Sequence, residues 1–464
     1  MNPPDTSAGI YKAALDAPMS PLALAMTGAL VLALLVFFRS RHTAVGAIIA
    51  AVCYLPQTEA LNLGFHFYAM RLVLLAALIR VMIRGENKGF VWGRLDRALV
   101  VYSLVIVVMA SIRAPNECTY RLGNLYDILL GYFCFRCLIR DADDFIRSLK
   151  RASLVLVPFA GLMLYEAATN HNPFAVFNGV EISSEVRYAH VRATGPFRNP
   201  ITAGAFGASF AMFYIALIFA RVRTRLIYVG LAASLAVVYA AHASGPFCGL
   251  AAATVAFFAW KVRKHLKTIL WSGVGLLFVL QLLMKKPVWF LIGRVSGIAG
   301  GGGYHRSVLI DKAITYFGRW WLDGTTDTAD WFPYQLADYG VADITNWFVA
   351  AAVTGGLLGL ITSIVLMVAC FKMMSRTMSY PIGDSERKLI WGVGASLVGT
   401  IAILFSVTYM DQMQVVFYFL LASIAALTMR PKLALAPAPP VPVPVRKLER
   451  VQWREKIASG NVAV

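Results

Sequence analysis

The chain has 464 residues, of which 59% are hydrophobic and only 14% are charged, so a soluble globular domain is excluded and a polytopic membrane protein is favoured. Its 43 lysines and arginines against 24 aspartates and glutamates give a formal charge of +19, which by itself would suit nucleic-acid binding. We expect no nucleic-acid partner, however, because the basic residues cluster beside apolar runs, where they orient a protein in the lipid bilayer and attract anionic headgroups.

Apolar runs of roughly 15 to 25 residues recur along most of the chain and predict membrane-spanning helices. The hydrocarbon core of the bilayer contains no water to bind backbone N–H and C=O groups. Each span must therefore satisfy these groups within itself, which predicts helices rather than strands. We predict an all-α transmembrane bundle of about 12 to 13 spans. Arg71 in the third span must face protein, water or a headgroup, since a lone cation facing lipid is costly. The predicted spans are 19–38, 43–57, 62–82, 97–112, 123–138, 153–168, 202–219, 226–241, 246–260, 268–284, 346–371, 388–408 and 412–428.

Lysine and arginine clusters in the connections predict the orientation of the bundle. Clusters such as RVRTR (221–225) and KVRKHLK (261–267) belong in the cytoplasm by the positive-inside rule. The two long loops, about 169–201 and 285–345, are then expected on the outer face.

The composition changes abruptly after Met429, where closely spaced prolines are followed by a basic stretch. A proline at every second or third position forbids a helix and favours an extended linker. We therefore predict two parts, a transmembrane bundle over residues 1–428 and a disordered cytoplasmic tail over residues 429–464.

The first long loop carries three arginines, Arg187, Arg192 and Arg198, although positive charge on that side opposes the orientation rule. Guanidinium groups bind diphosphate oxygens in a bidentate manner and stay charged at any relevant pH, so an anionic ligand is one explanation. Ion pairs with two glutamates of the same loop, or contact with lipid headgroups, are the alternatives.

The second long loop is polar within an otherwise apolar chain, and we expect the chemistry there. Apolar residues at helical spacing predict an amphipathic helix from Ser307 to Trp321, with Arg306 near its start and a glycine run, Gly300 to Gly303, just ahead. Exposed backbone N–H groups at such a helix start favour a bound phosphate. Trp320 and Trp321 are candidates for stacking on sugar rings, and equally for anchoring the loop at the membrane interface.

The sequence predicts no cofactor and no metal site. Cys134 and Cys137 form a C-x-x-C pair, but it lies in an apolar helix with no second ligand pair nearby. The seven histidines are scattered along the chain rather than spaced as zinc ligands.

Four stretches in chain order resemble signature regions of the O-antigen ligase and O-antigen polymerase superfamily, whose members are bacterial membrane glycosyltransferases. The stretches are RATGPFRNPITAGAFG (192–207), AAHASGPFCGLAAATVAFF (240–258), YHRSVLIDKAITYFGRWWLDG (304–324) and DITNWFVAAAVTGGLLGLI (343–361). The GGLLGL part by itself is typical of an ordinary small-residue helix interface. The resemblance depends on the order of the four, with a large outer loop between the third and the fourth, and covers roughly residues 120 to 425.

The resemblance implies a metal-independent, inverting glycosyltransferase at the periplasmic face of the bacterial inner membrane. Such proteins take a glycan from an undecaprenyl-diphosphate carrier and join it to an acceptor hydroxyl without a nucleotide sugar. Arginines of the two long loops are implicated in binding the diphosphate, and carried onto this chain they are Arg192, Arg198 and Arg306. With no metal, fixed cations must stabilise the charge that develops on the leaving diphosphate. Other polysaccharide-assembly proteins are expected partners.

One departure from the family pattern affects the expected reaction. Ligases of the superfamily end the large loop with a histidine next to an asparagine, but here Thr345 precedes Asn346. Asp343 and His305 are therefore equal candidates for the catalytic base, with His190 as a further one. The missing histidine favours a polymerase of exopolysaccharide, capsule or O-antigen repeat units over a ligase that transfers glycan to lipid A core or another acceptor.

Two further alternatives come from other classes of protein. A transporter or flippase for a lipid or small solute would explain the many spans and Arg71, although the sequence contains no obvious inverted repeat. A structural subunit of an export assembly would tolerate substitution of the arginines. The enzyme hypothesis requires a lateral opening for the carrier tail and a groove below Arg192 and Arg306.

Overall fold

The structure, a computed structural model, describes residues 21–55, 60–62, 66–177, 185–187, 189–298, 303–332 and 343–429. Within these residues the backbone forms sixteen α-helices. The predicted tail lies outside the described residues, except for Met429. The helices are α1 (Pro21–Phe38), α2 (Arg41–Tyr54), α3 (Ala69–Ile83), α4 (Arg94–Arg113), α5 (Cys118–Leu138), α6 (Ala142–Thr169), α7 (Pro200–Phe219), α8 (Arg225–Ala241), α9 (Ser244–Phe258), α10 (Leu266–Leu283), α11 (Phe290–Ile298), α12 (Gly303–Thr315), α13 (Phe317–Trp320), α14 (Trp347–Met378), α15 (Asp384–Leu404) and α16 (Gln412–Thr428).

Two short antiparallel hairpins occur among the described residues. β1 (Ala60–Asn62) pairs with β2 (His66–Tyr68), and β3 (Glu185–Arg187) pairs with β4 (His190–Arg192). In the second hairpin Glu185 lies opposite Arg192, and Arg187 lies opposite His190, so these four side chains project from one face. Short 3-10 segments join neighbouring elements at Pro115–Glu117, Pro173–Phe177, Ala259–His265 and Ala329–Trp331.

The helices confirm the predicted all-α bundle. Thirteen of them overlap the thirteen predicted spans. Helices α1, α2, α8 and α16 are apolar but shorter than a full span. Six helical stretches of the described chain are both long and apolar enough to cross a membrane: Arg94–Arg113, Ala142–Thr169, Pro200–Phe219, Ser244–Leu283, Trp347–Met378 and Asp384–Leu404.

The basic cluster KVRKHLK lies in the connection between two helices, as predicted, and this connection is itself helical. Helix α9, the 3-10 segment Ala259–His265 and α10 run on as one stretch of 40 residues. No glycine or proline interrupts the cluster, and lysine and arginine are good helix formers. The guanidinium group of Arg263 lies 4.0 Å from the centre of the Trp260 ring and donates to the Trp260 carbonyl oxygen (2.9 Å).

The core lies around α7 and α16, whose side chains are buried on nearly every face. Both helices are apolar all round, as expected of a helix enclosed by others. Helices α6, α8, α9 and α15 pack around α7 or against each other. Small residues allow α9 and α15 to approach closely. A Cβ on Gly249 of α9 would lie only 2.9 Å from the Gly399 carbonyl oxygen of α15. Helix α10, in contrast, buries none of its side chains.

Asparagine caps begin the two helices that follow the long connections. The Asn199 side chain accepts from the Thr202 backbone N–H (2.9 Å), and Pro200 is the first residue of α7. The Asn346 side chain accepts from the Phe348 N–H (3.0 Å) at the start of α14. We call the end of the bundle where α7 and α14 begin the loop end.

Helix α14 is interrupted at Gly355 and Gly356, where the sequence predicts a continuous span. Gly356 has φ 63° and ψ −162°, a backbone region that is essentially restricted to glycine. The Leu357 N–H donates to the Trp321 carbonyl (2.8 Å), and the Thr325 N–H donates to the Val353 carbonyl (2.7 Å). The connection after α13 therefore satisfies backbone groups that the interrupted helix leaves free.

Candidate functional site

A cavity of about 280 Å³ lies at the loop end, among α3, α4, α5, α14, α16 and the connection before α16. Its wall combines charged side chains with flat aromatic rings, including Tyr68, Tyr102 and Trp347. Such a lining can hydrogen-bond a polar ligand and pack against an apolar face of it. The charged side chains are Arg71, Arg121, Asp127, Arg198 and Asp411.

An ion pair between Arg71 and Asp127 forms one wall of the cavity. Arg71 Nη2 donates to Asp127 Oδ2 (2.6 Å), and Nε donates to Oδ1 (2.9 Å), which is a bidentate geometry. A Cβ on Gly123 would lie 2.9 Å from Nη2, so the guanidinium packs directly on the backbone of α5. The expectation that Arg71 faces protein or water rather than lipid is confirmed.

Asp411 faces Arg198 across the same cavity, in the connection between α15 and α16. Its φ of 51° is left-handed, a conformation that aspartate tolerates better than most residues. Burial raises the pKa of Asp411 above its ordinary value of 3.8, nearby Arg198 lowers it, and Asp127 raises it. The carboxyl group is therefore a weaker acid than an exposed aspartate.

The two predicted candidates for the base, Asp343 and His305, do not line the cavity, but they contact each other. His305 Nε2 lies 3.2 Å from the Asp343 carbonyl oxygen, and its ring stacks on Phe332 at 4.3 Å. Since a carbonyl oxygen only accepts, Nε2 is the donor and Nδ1 is the ring nitrogen able to take a proton. Thr408, which lines the cavity, donates to the Ile344 carbonyl (2.6 Å) and ties this segment to the cavity wall.

Arg192 is buried on the second hairpin, among groups that satisfy only part of its guanidinium. Its Nη1 donates to Glu185 Oε1 (2.7 Å), while its buried Nε has no hydrogen-bond partner among the described residues. Glu166 is fully buried and accepts from the N–H groups of Thr194 and Gly195 (2.8 Å each). The chain immediately after Arg192 is therefore held by α6, which fixes where the arginine lies.

Arg306 lies in the first turn of α12 and is buried. Its pKa is lowered chiefly by burial, Cys248 acts in the opposite direction, and Arg187 lowers it further. The last effect requires the two guanidinium groups to be close enough to repel each other. Arg187 of the first long connection therefore acts electrostatically on Arg306 of the second.

The structure divides the predicted diphosphate arginines between two places. Arg198 lines the cavity, whereas Arg192 and Arg306 do not. Arg187 shares its hairpin face with Arg192 and acts electrostatically on Arg306. The predicted groove below Arg192 and Arg306 stays a prediction. Residues 300–302 of the glycine run lie outside the described residues.

The two adjacent tryptophans differ in their surroundings. Trp320 is buried, and its Nε1 donates to the Ala313 carbonyl (2.7 Å) inside an apolar cluster with Trp331. It presents no ring face to a sugar in this structure. Trp321 is 46% exposed and keeps a free ring surface, so only this member of the pair is accessible to a glycan.

Sequence reasoning singled out Arg71 and Arg198 but missed Asp127 and Asp411. An acidic residue inside a predicted span (Asp127 in 123–138), or directly before one (Asp411 before 412–428), was the available signal, because an unpaired carboxylate in hydrocarbon is costly. No group of three or more His, Cys, Asp or Glu side chains in the described part of the chain is placed to hold a metal ion. No protein-family model matches the chain, and no curated protein matches it at a significant level.

Proposed function

We propose that the protein is a membrane glycosyltransferase that polymerises undecaprenyl-diphosphate-linked repeat units as an exopolysaccharide, capsule or O-antigen polymerase. The observation that carries this proposal is the buried Arg192, whose Nε has no hydrogen-bond partner among the described residues and which shares one hairpin face with Arg187. Two neighbouring guanidinium groups repel each other, so their arrangement favours a multiply charged anion between them, and a diphosphate fits their bidentate geometry. The resemblance of the four stretches supplies the carrier and the class of reaction.

The arginines act on the leaving group in this mechanism. As the acceptor oxygen forms its bond to the anomeric carbon, the bond from that carbon to the diphosphate oxygen breaks and leaves its electron pair on the diphosphate. Arg306, Arg187 and the partly satisfied Arg192 stabilise that charge. Attack opposite the leaving group inverts the anomeric centre.

The acceptor hydroxyl must lose its proton to a nearby base. Asp343 and His305 Nδ1 are the candidates outside the cavity lining, and Asp411 is a third candidate within the cavity. A raised pKa suits a carboxylate for this task, because it makes the carboxylate a stronger base. The cavity, with its rings and its Arg71–Asp127 pair, is the proposed site of the acceptor sugar.

The proposed location is the bacterial inner membrane, with the loop end facing the periplasm. The apolar helices support a membrane protein. Basic clusters such as the one in the 3-10 segment before α10 support a cytoplasmic position for the opposite end.

The test is polymerisation by the purified protein in lipid, supplied with a lipid-diphosphate-linked repeat unit, chelator and no nucleotide sugar. Wild type is expected to lengthen the glycan ladder, and Arg306→Ala to slow it about 100-fold or more, since a lost oxyanion donor costs about that much. Arg294→Ala is the matched control, because Arg294 is an exposed arginine of the same connection. If the protein does not lengthen a donor that a known polymerase accepts, the polymerase function is rejected and a ligase or a transporter is favoured.

The interrupted helix favours transport as a second candidate function. Transporters commonly bind ions and substrates where a spanning helix is broken, and α14 is broken at Gly355 beside cavity residue Thr354. A transporter of a lipid-linked glycan or anionic solute would move its substrate across the vesicle membrane without changing the covalent structure of that substrate. Mass analysis of the substrate before and after incubation separates the two functions.

A further inference from the structure

A second cavity, of about 320 Å³, lies between α4 and α14, away from the loop end. It is within the size range of ligand pockets, about 300–1,000 Å³. Helix α4 contributes its first two turns, and α14 contributes residues beyond its break. Its lining residues are Arg94, Arg97, Ala98, Val101, Thr362 and Val365.

The mouth of this cavity is positively charged. Arg94 and Arg97 are one helical turn apart and exposed, and neither forms an ion pair with a carboxylate among the described residues. The neighbouring carboxylate, Asp96, is buried and accepts from Tyr132 Oη and from the Gly93 N–H (2.6 Å). Lys372 lies two turns beyond Val365 on the same face of α14 and adds a third cation at this end.

The floor of the cavity is apolar and faces outward. Val101 and Val365 are each about half exposed. Exposed apolar side chains continue along both helices towards the loop end, at Leu104 on α4 and Leu358 on α14. Trp92, just before α4, is 53% exposed, and tryptophan favours the lipid–water interface. Cations at the interface followed by an apolar strip complement a headgroup followed by an acyl chain.

We propose that this groove binds one anionic phospholipid, with its phosphate between Arg94 and Arg97 and an acyl chain along Val101 and Val365. A free phosphate would leave the apolar strip uncovered, and a zwitterionic headgroup would neutralise less of the positive charge. The lipid bridges α4 and α14, the two helices that also meet at the loop end. The inference does not depend on the proposed function.

Native mass spectrometry of the full-length protein, titrated with phosphatidylglycerol, tests the site. The double variant Arg94→Gln/Arg97→Gln is expected to bind about 30-fold more weakly, from about a kilocalorie per mole for each lost charge. The control is Arg223→Gln/Arg225→Gln, which removes two exposed arginines that do not line the groove, and it is expected to bind as wild type does.

Three results would overturn the proposal: equal weakening in both double variants, equal affinity for phosphatidylcholine, or displacement of the lipid by glycerol phosphate. A second variant keeps the test valid if the arginine variant does not fold. Val101→Trp leaves both arginines in place and fills the apolar strip, so it is expected to weaken phosphatidylglycerol binding as well. If Val101→Trp binds phosphatidylglycerol as tightly as wild type does, the proposed position of the acyl chain along Val101 is rejected.

Discussion

Asp411 is the titratable residue whose surroundings in the cavity differ most from those the sequence suggests. It directly precedes the predicted span 412–428, and in the structure it borders Arg198 and the Arg71–Asp127 pair. Burial makes ionisation of its carboxyl group more difficult than in water. The consequence is a dependence of stability on pH that can be traced to one residue.

Asp411→Asn is expected to remove that dependence. Because the pKa of Asp411 is raised in the folded state, the folded protein holds the proton more tightly than the unfolded chain does. The free energy of unfolding therefore falls as pH rises from about 3.8 through the folded pKa, and asparagine lacks this fall. The difference in Tm, variant minus wild type, should therefore be more positive at about pH 7 than at about pH 4.

A Tm difference for the Asp411 variant that does not change with pH, or that changes in the opposite direction, would contradict the role assigned to burial.

At the scale of elements, the interruption of α14 joins the second long connection to the bundle. Arg113 Nη1 at the end of α4 donates to the Asp323 carbonyl (2.7 Å) and to the Val353 carbonyl (3.2 Å). One guanidinium thus binds the connection and the broken helix together. The stretch that resembles an ordinary small-residue interface in the sequence is a hydrogen-bonded junction in the structure.

Gly356→Ala is expected to destabilise this junction. A Cβ at Gly356 would overlap the Leu322 carbonyl oxygen, and the φ of 63° with ψ −162° is strained for alanine. Strain of this kind costs about 1–3 kcal/mol, so the thermal midpoint should fall and proteolysis after α13 should accelerate. Gly273→Ala in α10 is the control, since its Cβ meets nothing within 4 Å and alanine favours a helix. Equal stability of the two variants would contradict the junction.

On the scale of the whole molecule, helices differ in how much surface they leave for lipid. Helix α16 is buried almost throughout, while α10 buries no side chain and exposes Trp271, Phe278 and Leu283. Both helices are apolar, so hydropathy alone does not distinguish them. Exposed apolar surface of this extent is typical of a membrane or protein interaction site, and in a chain with this many apolar helices it favours contact with lipid.

Trp271 is expected to contact acyl chains, whereas Trp331 is not. Trp271 is 75% exposed and Trp331 is fully buried. In vesicles with brominated acyl chains, Trp271→Phe should lower the lipid-quenchable part of the fluorescence, and Trp331→Phe should lower only the unquenchable part. Equal effects of the two substitutions on quenching would contradict the lipid-facing position of α10.

The candidate site was predictable in part. Its arginines could be selected from the sequence because cations in connections predicted to lie on the outer side oppose the orientation rule. Their partners could not, since Arg71 and Asp127 are 56 residues apart and meet only because α3 and α5 pack side by side. Trp320 and Trp321 were indistinguishable in the sequence, and packing alone buries the first and exposes the second.

By itself, the sequence determined the helical class of protein, the positions of the apolar helices and the two polar connections, because length and hydropathy decide which segments can enter a membrane. The tertiary structure alone decided that α14 is broken, that Arg187 and Arg192 share one face of a hairpin and that Asp411 enters a cavity with Arg198. These features depend on which helices lie next to each other, and a periodic apolar pattern specifies a buried face without specifying its neighbour.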